Sequence, residues 1–264
     1  MIVLQEFTKY FHRNSINEVL ALDRISLELR QGDFVTVIGS NGAGKSTLLN
    51  GVAGTFFPDA GRLMLGDTDI TRWPEHRRAG RIGRVFQDPM LGTCGALSIE
   101  QNMALASRRG KRRGLGMGVR SGSRDGFRAQ LQKLALGLEH RLRDKVGLLS
   151  GGQRQALTML MATMVRPEIL LLDEHTAALD PGTARQILSL TRRIVEERSL
   201  TTLMVTHNMN QALELGNRLI MVHRGRVILD VRDEEKQRLT VDDLLARFYE
   251  VQGEAFSSDR MLLA

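Results

Sequence analysis

The chain has a single cysteine, Cys94, in 264 residues, so it cannot close an internal disulfide and fits a reducing compartment. It also lacks a long apolar run. A membrane span needs about 18 or more consecutive apolar residues, yet the longest uncharged stretch, residues 199–213, is studded with Thr, Asn, Gln and His. The opening Met1-Ile2-Val3-Leu4-Gln5-Glu6 has neither the basic start nor the cleavage site of a secretory leader. These absences make the cytoplasm the expected location. No internal repeat is visible. What remains, 42% hydrophobic and 25% charged residues, is the balance of a globular protein with one large core, or one core and a smaller lobe.

The net charge of +7 invites a nucleic-acid reading until it is located. Residues 108–128 hold Arg108, Arg109, Lys111, Arg112, Arg113, Arg120, Arg124 and Arg128 against Asp125 alone, so this segment carries the whole of it. Interspersed glycines give a composition expected to stay an unordered, solvated loop. Attraction to anionic lipid or to an acidic partner surface is the second reading. Nucleic acid is the weakest, because no aromatic lies between Arg108 and Arg124 to stack a base.

The chain is organised around Gly39-Ser40-Asn41-Gly42-Ala43-Gly44-Lys45-Ser46-Thr47, which fits G-x-x-x-x-G-K-[ST]. Phe34–Ile38 before it reads as a buried strand, and residues 46–53 after it as a short helix ended by Gly54. Strand, glycine loop and helix are the context in which backbone N–H groups wrap a polyphosphate. Lys45 is then expected at the β- and γ-phosphates, and the Ser46 hydroxyl at Mg²⁺.

Elsewhere, residues 2–8 and 25–30 read as strands, followed by a short strand over 61–70. Ile82–Phe86 is a strand ending at Gln87-Asp88-Pro89. Ser98-Ile99-Glu100-Gln101 has the capping-box pattern of a helix start. A helix is expected from about Phe127 to Leu138 and a longer one from Gln155 to Val165, stopped by Pro167. Ile169-Leu170-Leu171-Leu172 has the apolar character of a central parallel strand. Helical periodicity fills 182–198, Thr201–Thr206 is another strand, and 218–230 suggests a hairpin around His223-Arg224-Gly225. One amphipathic helix and a loose tail follow. An Asp-Glu pair such as Asp173-Glu174 is by itself more often a solvated turn, and a lone histidine such as His207 more often structural. Either Tyr10 or Phe11 has the chemistry to stack on a purine, or to lie in a β-layer core.

Taken together, the glycine loop, Leu149-Ser150-Gly151-Gly152-Gln153 and Ile169–Glu174 give a sequence that closely resembles the ATP-binding subunits of ABC transporters over residues 2–230. The resemblance implies a P-loop α/β core with an N-terminal antiparallel β layer and an inserted helical subdomain. Its boundaries are 1–87 and 166–230 for the core, 88–165 for the helical subdomain with a basic loop at 108–126, and 231–264 for a C-terminal helix and tail. It implies Mg²⁺ support from Ser46, Gln87 and Asp173, Glu174 as general base, and His207 at the γ-phosphate. It favours Phe11, two residues after Lys9, over Tyr10 for the adenine.

It further implies that Ser150, Gly151, Gly152 and Gln153 act on ATP bound by a second subunit, most simply an identical one, with Ala178-Leu179-Asp180 crossing the same interface. The other implied partners are transmembrane permease subunits and an extracytoplasmic binding protein, with this chain peripheral on the inner membrane face. No specific nucleic acid is expected. One departure stands out: many relatives carry Pro after the catalytic Glu, where this chain has His175. With no fused span, the pattern suits an importer. The alternative is a soluble ABC ATPase serving iron–sulfur assembly or nucleic acid.

Overall fold

A computed structural model describes residues 1–111, 119 and 122–252. They fall into two compact units, Met1–Glu75 with the chain from Thr201 onward, and His76–Leu200. The first unit opens with β1 (Ile2–Phe11), β2 (Val19–Leu29), β3 (Phe34–Ile38), α1 (Lys45–Ala53), β4 (Ala60–Leu65) and β5 (Thr68–Asp69). The chain then runs through α2 (Glu75–Arg78), β6 (Ile82–Val85), α3 (Ile99–Ser107), α4 (Ser123–Gln132), α5 (Gly151–Met164), β7 (Ile169–Asp173) and α6 (Pro181–Arg198). It closes with β8 (Thr202–Val205), α7 (Met209–Glu214), β9 (Arg218–His223), β10 (Arg226–Arg232), α8 (Asp233–Arg238) and α9 (Val241–Gln252).

In the first unit, β1 pairs antiparallel with β2 and β4 in the order β2–β1–β4–β5. Ile2 and Leu4 of β1 and Ile25, Leu27 and Leu29 of β2 are buried on one face of each strand, and an irregularity between Leu4 and Phe7 shifts the alternation so that Phe7 is buried too. A second sheet contains the order β10–β9–β3–β8. Its centre, β3, is buried at all five positions and runs parallel to both β8 and β9. Such burial on both faces is why Phe-Val-Thr-Val-Ile shows no alternation. Arg224 and Gly225, with φ of 45° and 75°, make the two-residue turn between β9 and β10. Two successive left-handed residues are what the twist of a tight hairpin demands. Beneath it, Leu244 and Phe248 of α9 pack with Met209, Leu219, Met221 and Val231.

In the second unit, β6 and β7 run parallel, with Val85 opposite Leu172. The sequence placed the start of the longer helix at Gln155, but α5 begins four residues earlier. Ser150 caps it, accepting from the Gln153 N–H at 3.2 Å, while the Gln153 side chain accepts from the Ser150 N–H at 3.3 Å. This reciprocal capping satisfies two end groups and lets the glycines of the signature be helical. At the other end of α5, the Arg109 guanidinium donates to the Ala162 and Val165 carbonyls at 2.8 and 2.6 Å. An arginine set against the last turn from outside the helix answers the orphan carbonyls and the negative end of the helix dipole.

That contact changes the reading of the basic segment. An unordered loop was expected over 108–126, yet α4 begins at Ser123, and Arg124 makes a two-pronged pair with Glu100 of α3 at 2.7 and 3.3 Å. Composition alone missed this because two arginines find fixed acceptors. The centre of the segment, 112–118 with 120 and 121, lies outside the described residues, as does the expected loose tail from 253. The single C-terminal helix expected over 231–264 is instead two, α8 and α9, following a β10 that extends to Arg232. The helix expected over 127–138 ends at Gln132, and Leu138 starts a separate 3₁₀ turn.

Arg218 ties the first unit together. Its side chain is 2% exposed, its Nε and second amino group hold Asp230 at 2.6 and 2.5 Å, and it donates to the Glu28 carbonyl at 2.5 Å. It therefore joins β9 to β10 and to β2 of the antiparallel sheet. Removing the guanidinium leaves the exposed Asp230 to water but strips the Glu28 carbonyl of its donor and the two strands of their tie. Arg218→Met is expected to lower unfolding free energy by about 2 kcal/mol, and Arg218→Lys to restore only part, since an ammonium cannot make the fork. Denaturant melts of the three proteins check this; a loss under about 0.5 kcal/mol in the Met variant removes Arg218 from the role.

Candidate functional site

The first unit brings its candidate residues to the C-terminal edge of its parallel strands, where ligands bind in open α/β sheets. The glycine loop leaves β3 there. A β-carbon at Gly39 would lie 2.2 Å from the Val222 carbonyl oxygen of β9, so only glycine passes this point. Gly44, at φ 104°, is the N-cap of α1 and supplies no side-chain cap. No acidic residue lies in the first turn of α1, so nothing there opposes an anion at its positive end. Lys45 is buried, and its ammonium donates to the Gly39 and Ser40 carbonyls at 2.6 and 3.0 Å, inside the curve of its own loop. Ser46 and Thr47 follow in the same helical turn, with Asn41, Gly42 and Ala43 forming the outer loop.

His207 reaches the same edge from β8. The Thr206 N–H donates to the Val37 carbonyl at 3.2 Å, which fixes the chain beside the root of the glycine loop. The Thr206 hydroxyl accepts from the Asn208 N–H at 3.1 Å, and Asn208 caps α7 by accepting from the Gln211 N–H at 3.0 Å. His207 is half-buried between two residues whose side chains serve the turn.

At the far end of β1 lies an aromatic cluster. Phe11 meets Phe56 edge to face, with centroids 5.6 Å apart, and the Lys9 ammonium sits 5.7 and 5.3 Å from the two ring centres. Phe11 keeps about a third of its surface exposed. Tyr10, on the opposite strand face, is engaged by Arg13 at 5.3 Å instead.

The second unit repeats the logic. Gln87 lies two residues beyond Val85 of β6 and Glu174 two beyond Leu172 of β7, and these strand residues are paired, so both side chains stand at one edge. Glu174 is buried, exposing about a tenth of its surface, and its backbone is left-handed, φ 45°. A non-glycine residue there is strained and needs neighbours to hold it. Asp173 receives a bond from Arg84 at 3.3 Å, and the Gln155 amide donates to the Phe86 carbonyl at 3.2 Å.

At the signature, Ser150 Oγ accepts the capping bond and keeps its own O–H to donate outward. Gly152 has a packing reason to be glycine, because a β-carbon would come within 2.3 Å of the Thr183 methyl at the start of α6. Asp180 caps α6 by accepting from the Gly182 and Thr183 N–H groups at 3.1 and 3.0 Å, with Pro181 at the first helical position.

Among the described residues, no cluster of three or more His, Cys, Asp or Glu could hold a metal unaided. Hydroxyl, carboxylate and amide oxygens are the ligand types that Mg²⁺ takes, few at a time, completing its shell with water and phosphate. Among the described residues, no helix is long and apolar enough to cross a membrane.

The ABC transporter family matches residues 22–177, more than half of the chain. The chain belongs to that family. It is the ATP-binding subunit of an ABC transporter, an ABC-type ATPase whose hydrolysis is coupled to transport. It is 43% identical to a tyrosine transport ATP-binding protein of Clostridioides difficile (strain R20291), over 94% of this chain and 98% of the relative. It is 38% identical to a sulfate/thiosulfate import ATP-binding protein of Xanthomonas campestris pv. campestris, covering 81% of this chain and 60% of that protein. Its fold matches a dimeric ATP-binding cassette in a post-hydrolysis state bound to ADP and Pi, with TM-score 0.74 and 29% identity over 88% of this chain and 98% of that one. The expected P-loop fold with its N-terminal β sheet and helical subdomain is thus the observed one. Relatives that dimerise imply a second ATP-binding subunit and association with a permease, and the P-loop implies use of ATP with Mg²⁺.

His175, the residue that departs from the expected family pattern, is explained by its packing. The ring is 1% exposed, and Nε2 lies 3.0 Å from the Thr191 hydroxyl of α6. Thr191 donates its own proton to the Ile187 carbonyl at 2.8 Å, so Nε2 carries the hydrogen and donates. Burial lowers the ring's pKa from 6.5 to about 4. Below pH 6.5 the unfolded chain binds a proton here while the folded chain does not. This contribution to stability is therefore complete above pH 6.5 and is lost as pH falls towards 4. Between pH 7 and 5 it amounts to about 2 kcal/mol. In His175→Gln the drop in unfolding free energy across that interval should shrink by about this amount; an unchanged drop removes the buried neutral ring as its source.

Proposed function

We propose that this subunit hydrolyses ATP as one half of a dimer that holds two nucleotides, and drives import through separately encoded permease subunits. The observation that carries the reading is the pair of anion-ready helix starts. α1 opens at the glycine loop with Lys45, and α5 opens at Ser150 with a hydroxyl left to donate. One subunit has two such ends, and the family's arrangement gives each nucleotide one end from either subunit.

In this reading Phe11 stacks on the adenine, its exposed ring already oriented by Phe56 and Lys9. Residues 39–47 wrap the phosphates. Lys45 exchanges its loop carbonyls for β- and γ-oxygens, trading dipoles for full negative charge. Ser46, Gln87 and Asp173 would hold Mg²⁺ with the nucleotide, where it would supply charge neutralisation at the phosphates. Glu174 takes the proton of the attacking water, its position imposed by a strained backbone at the end of a buried strand. His207 donates to the γ-phosphate. Ser150, Gly151, Gly152 and Gln153 meet the nucleotide of the other subunit, and the Gln153 side chain acts through its hold on Ser150. ATP favours closure because the γ-phosphate completes contacts that ADP leaves unmade.

The near full-length similarity to a protein named for tyrosine transport makes an amino acid, tyrosine first, the substrate to test. It also supports placement on the inner membrane face, with an extracytoplasmic binding protein supplying the substrate. The soluble alternative, an ABC ATPase for iron–sulfur assembly or nucleic acid, has no feature among the described residues in its favour.

Glu174→Gln is expected to keep ATP binding, lower turnover by about 100-fold or more, and trap an ATP-bound dimer. Lys45→Ala should abolish nucleotide binding. Ser150→Arg should leave monomer binding intact and block ATP-induced dimerisation. Phosphate release and oligomer mass are the measurements. Near-normal turnover in the first variant, or normal dimers in the last, refutes the corresponding role. Tyrosine-stimulated ATPase activity in vesicles with the cognate permease and binding protein tests import.

A further inference from the structure

Asp173 is not alone at the end of β7. Arg84 of β6 lies opposite Leu171 in the parallel register, and its side chain runs forward along the sheet to place an amino nitrogen 3.3 Å from Asp173 Oδ2. The guanidinium carbon stands 4.5 Å from the ring centre of Phe86, the next residue on the same strand face. A cation over an aromatic face is held there by the ring quadrupole. The Phe86 carbonyl is in turn gripped by Gln155 of α5 at 3.2 Å. The Arg84 and Asp173 side chains are 14% and 15% exposed, so water screens this pair less than it would at the surface.

We propose that Arg84 is a resident counter-cation for Asp173, competing with the divalent cation for this carboxylate and thereby setting the cation requirement of the ATPase. The proposal rests on the reading that Asp173 supports Mg²⁺. Without a metal, Asp173 and its neighbour Glu174 put two carboxylates at one strand end. Like charges so placed repel, and Arg84 offsets one of them. When the divalent cation arrives with ATP, the same carboxylate must turn part of its charge to it. A fixed guanidinium then opposes a dication at close range. The cost falls on metal binding, and the gain is that the nucleotide-free unit keeps Asp173 in place. Phe86 links the arginine to Gln87, so the residue that yields to the cation adjoins the residue expected to meet it.

The test is Mn²⁺ binding to the full chain at saturating non-hydrolysable ATP analogue, read by electron paramagnetic resonance. Even at water-like screening, the lower limit for a pair so little exposed, two charges repelling one are worth about a tenfold change in affinity. Arg84→Gln and Arg84→Met are therefore expected to bind Mn²⁺ about tenfold more tightly. Arg84→Lys, which keeps the charge, should stay within about threefold of the natural protein. The Mg²⁺ concentration that half-saturates ATPase activity should fall in the same two variants. Asp173→Asn is the control and should weaken Mn²⁺ binding. If it does, and neutral residues at 84 leave Mn²⁺ affinity unchanged or weaker, the competition is refuted while the metal role of Asp173 stands. If Asp173→Asn binds Mn²⁺ normally, the metal role itself falls and the proposal with it.

Discussion

The close passage of the glycine loop against β9 governs the nucleotide half of this subunit. Gly39 runs so near the Val222 carbonyl that no β-carbon fits, and that contact exists because β9 and β3 pair in parallel, with Val37 opposite Ile220. The hairpin that positions Val222 depends on the left-handed pair Arg224-Gly225 and on Arg218, which clamps β9 to β10 and β2. The phosphate loop is therefore shaped from a strand more than 180 residues later in the chain. A motif that looks local has a tertiary requirement.

The second unit solves a different problem, that of holding acidic groups at the end of an apolar strand. β7 delivers Asp173 from a run that is otherwise fully buried, and each group around it answers part of the resulting strain. Arg84 offsets its charge. His175 anchors the residue after Glu174 to α6 through Thr191. Asp180 and Pro181 then start α6 at a defined point, so the loop between Glu174 and α6 is held at both ends. Proline at 175 would stiffen the backbone without a hydrogen bond; histidine uses a buried donor and the neutral ring that burial enforces.

The parts of this arrangement legible in the sequence were those in which local chemistry and function coincide. A G-x-x-x-x-G-K-S loop between an apolar run and a helix announces itself, as does an Asp-Glu pair after four apolar residues. The beginning of α5 was placed too late because glycines at a helix start read as a break. The capping box of Ser150 and Gln153 has the same spacing as that of Ser98 and Gln101, but the two glycines between its members mask it. The order around the basic segment was hidden for another reason. Charge counting cannot show that Arg109 terminates α5 or that Arg124 reaches Glu100, since both partners come from elsewhere in the chain.

The same distinction explains why Arg84 carried no signal. In sequence it is one polar residue in a short strand ahead of Gln87, and alternation would assign it to solvent. Only the parallel register of β6 on β7, with Arg84 opposite Leu171, carries it towards Asp173. Its orientation is then selected by Phe86, two residues on and therefore on the same face. A residue on the strand leading to Gln87 thus acts on the carboxylate of another strand, because parallel strands bring their C-terminal ends to one edge. That geometry lets two segments 89 residues apart share a charge, and in the proposed competition it ties the divalent requirement to β6 as well as to β7.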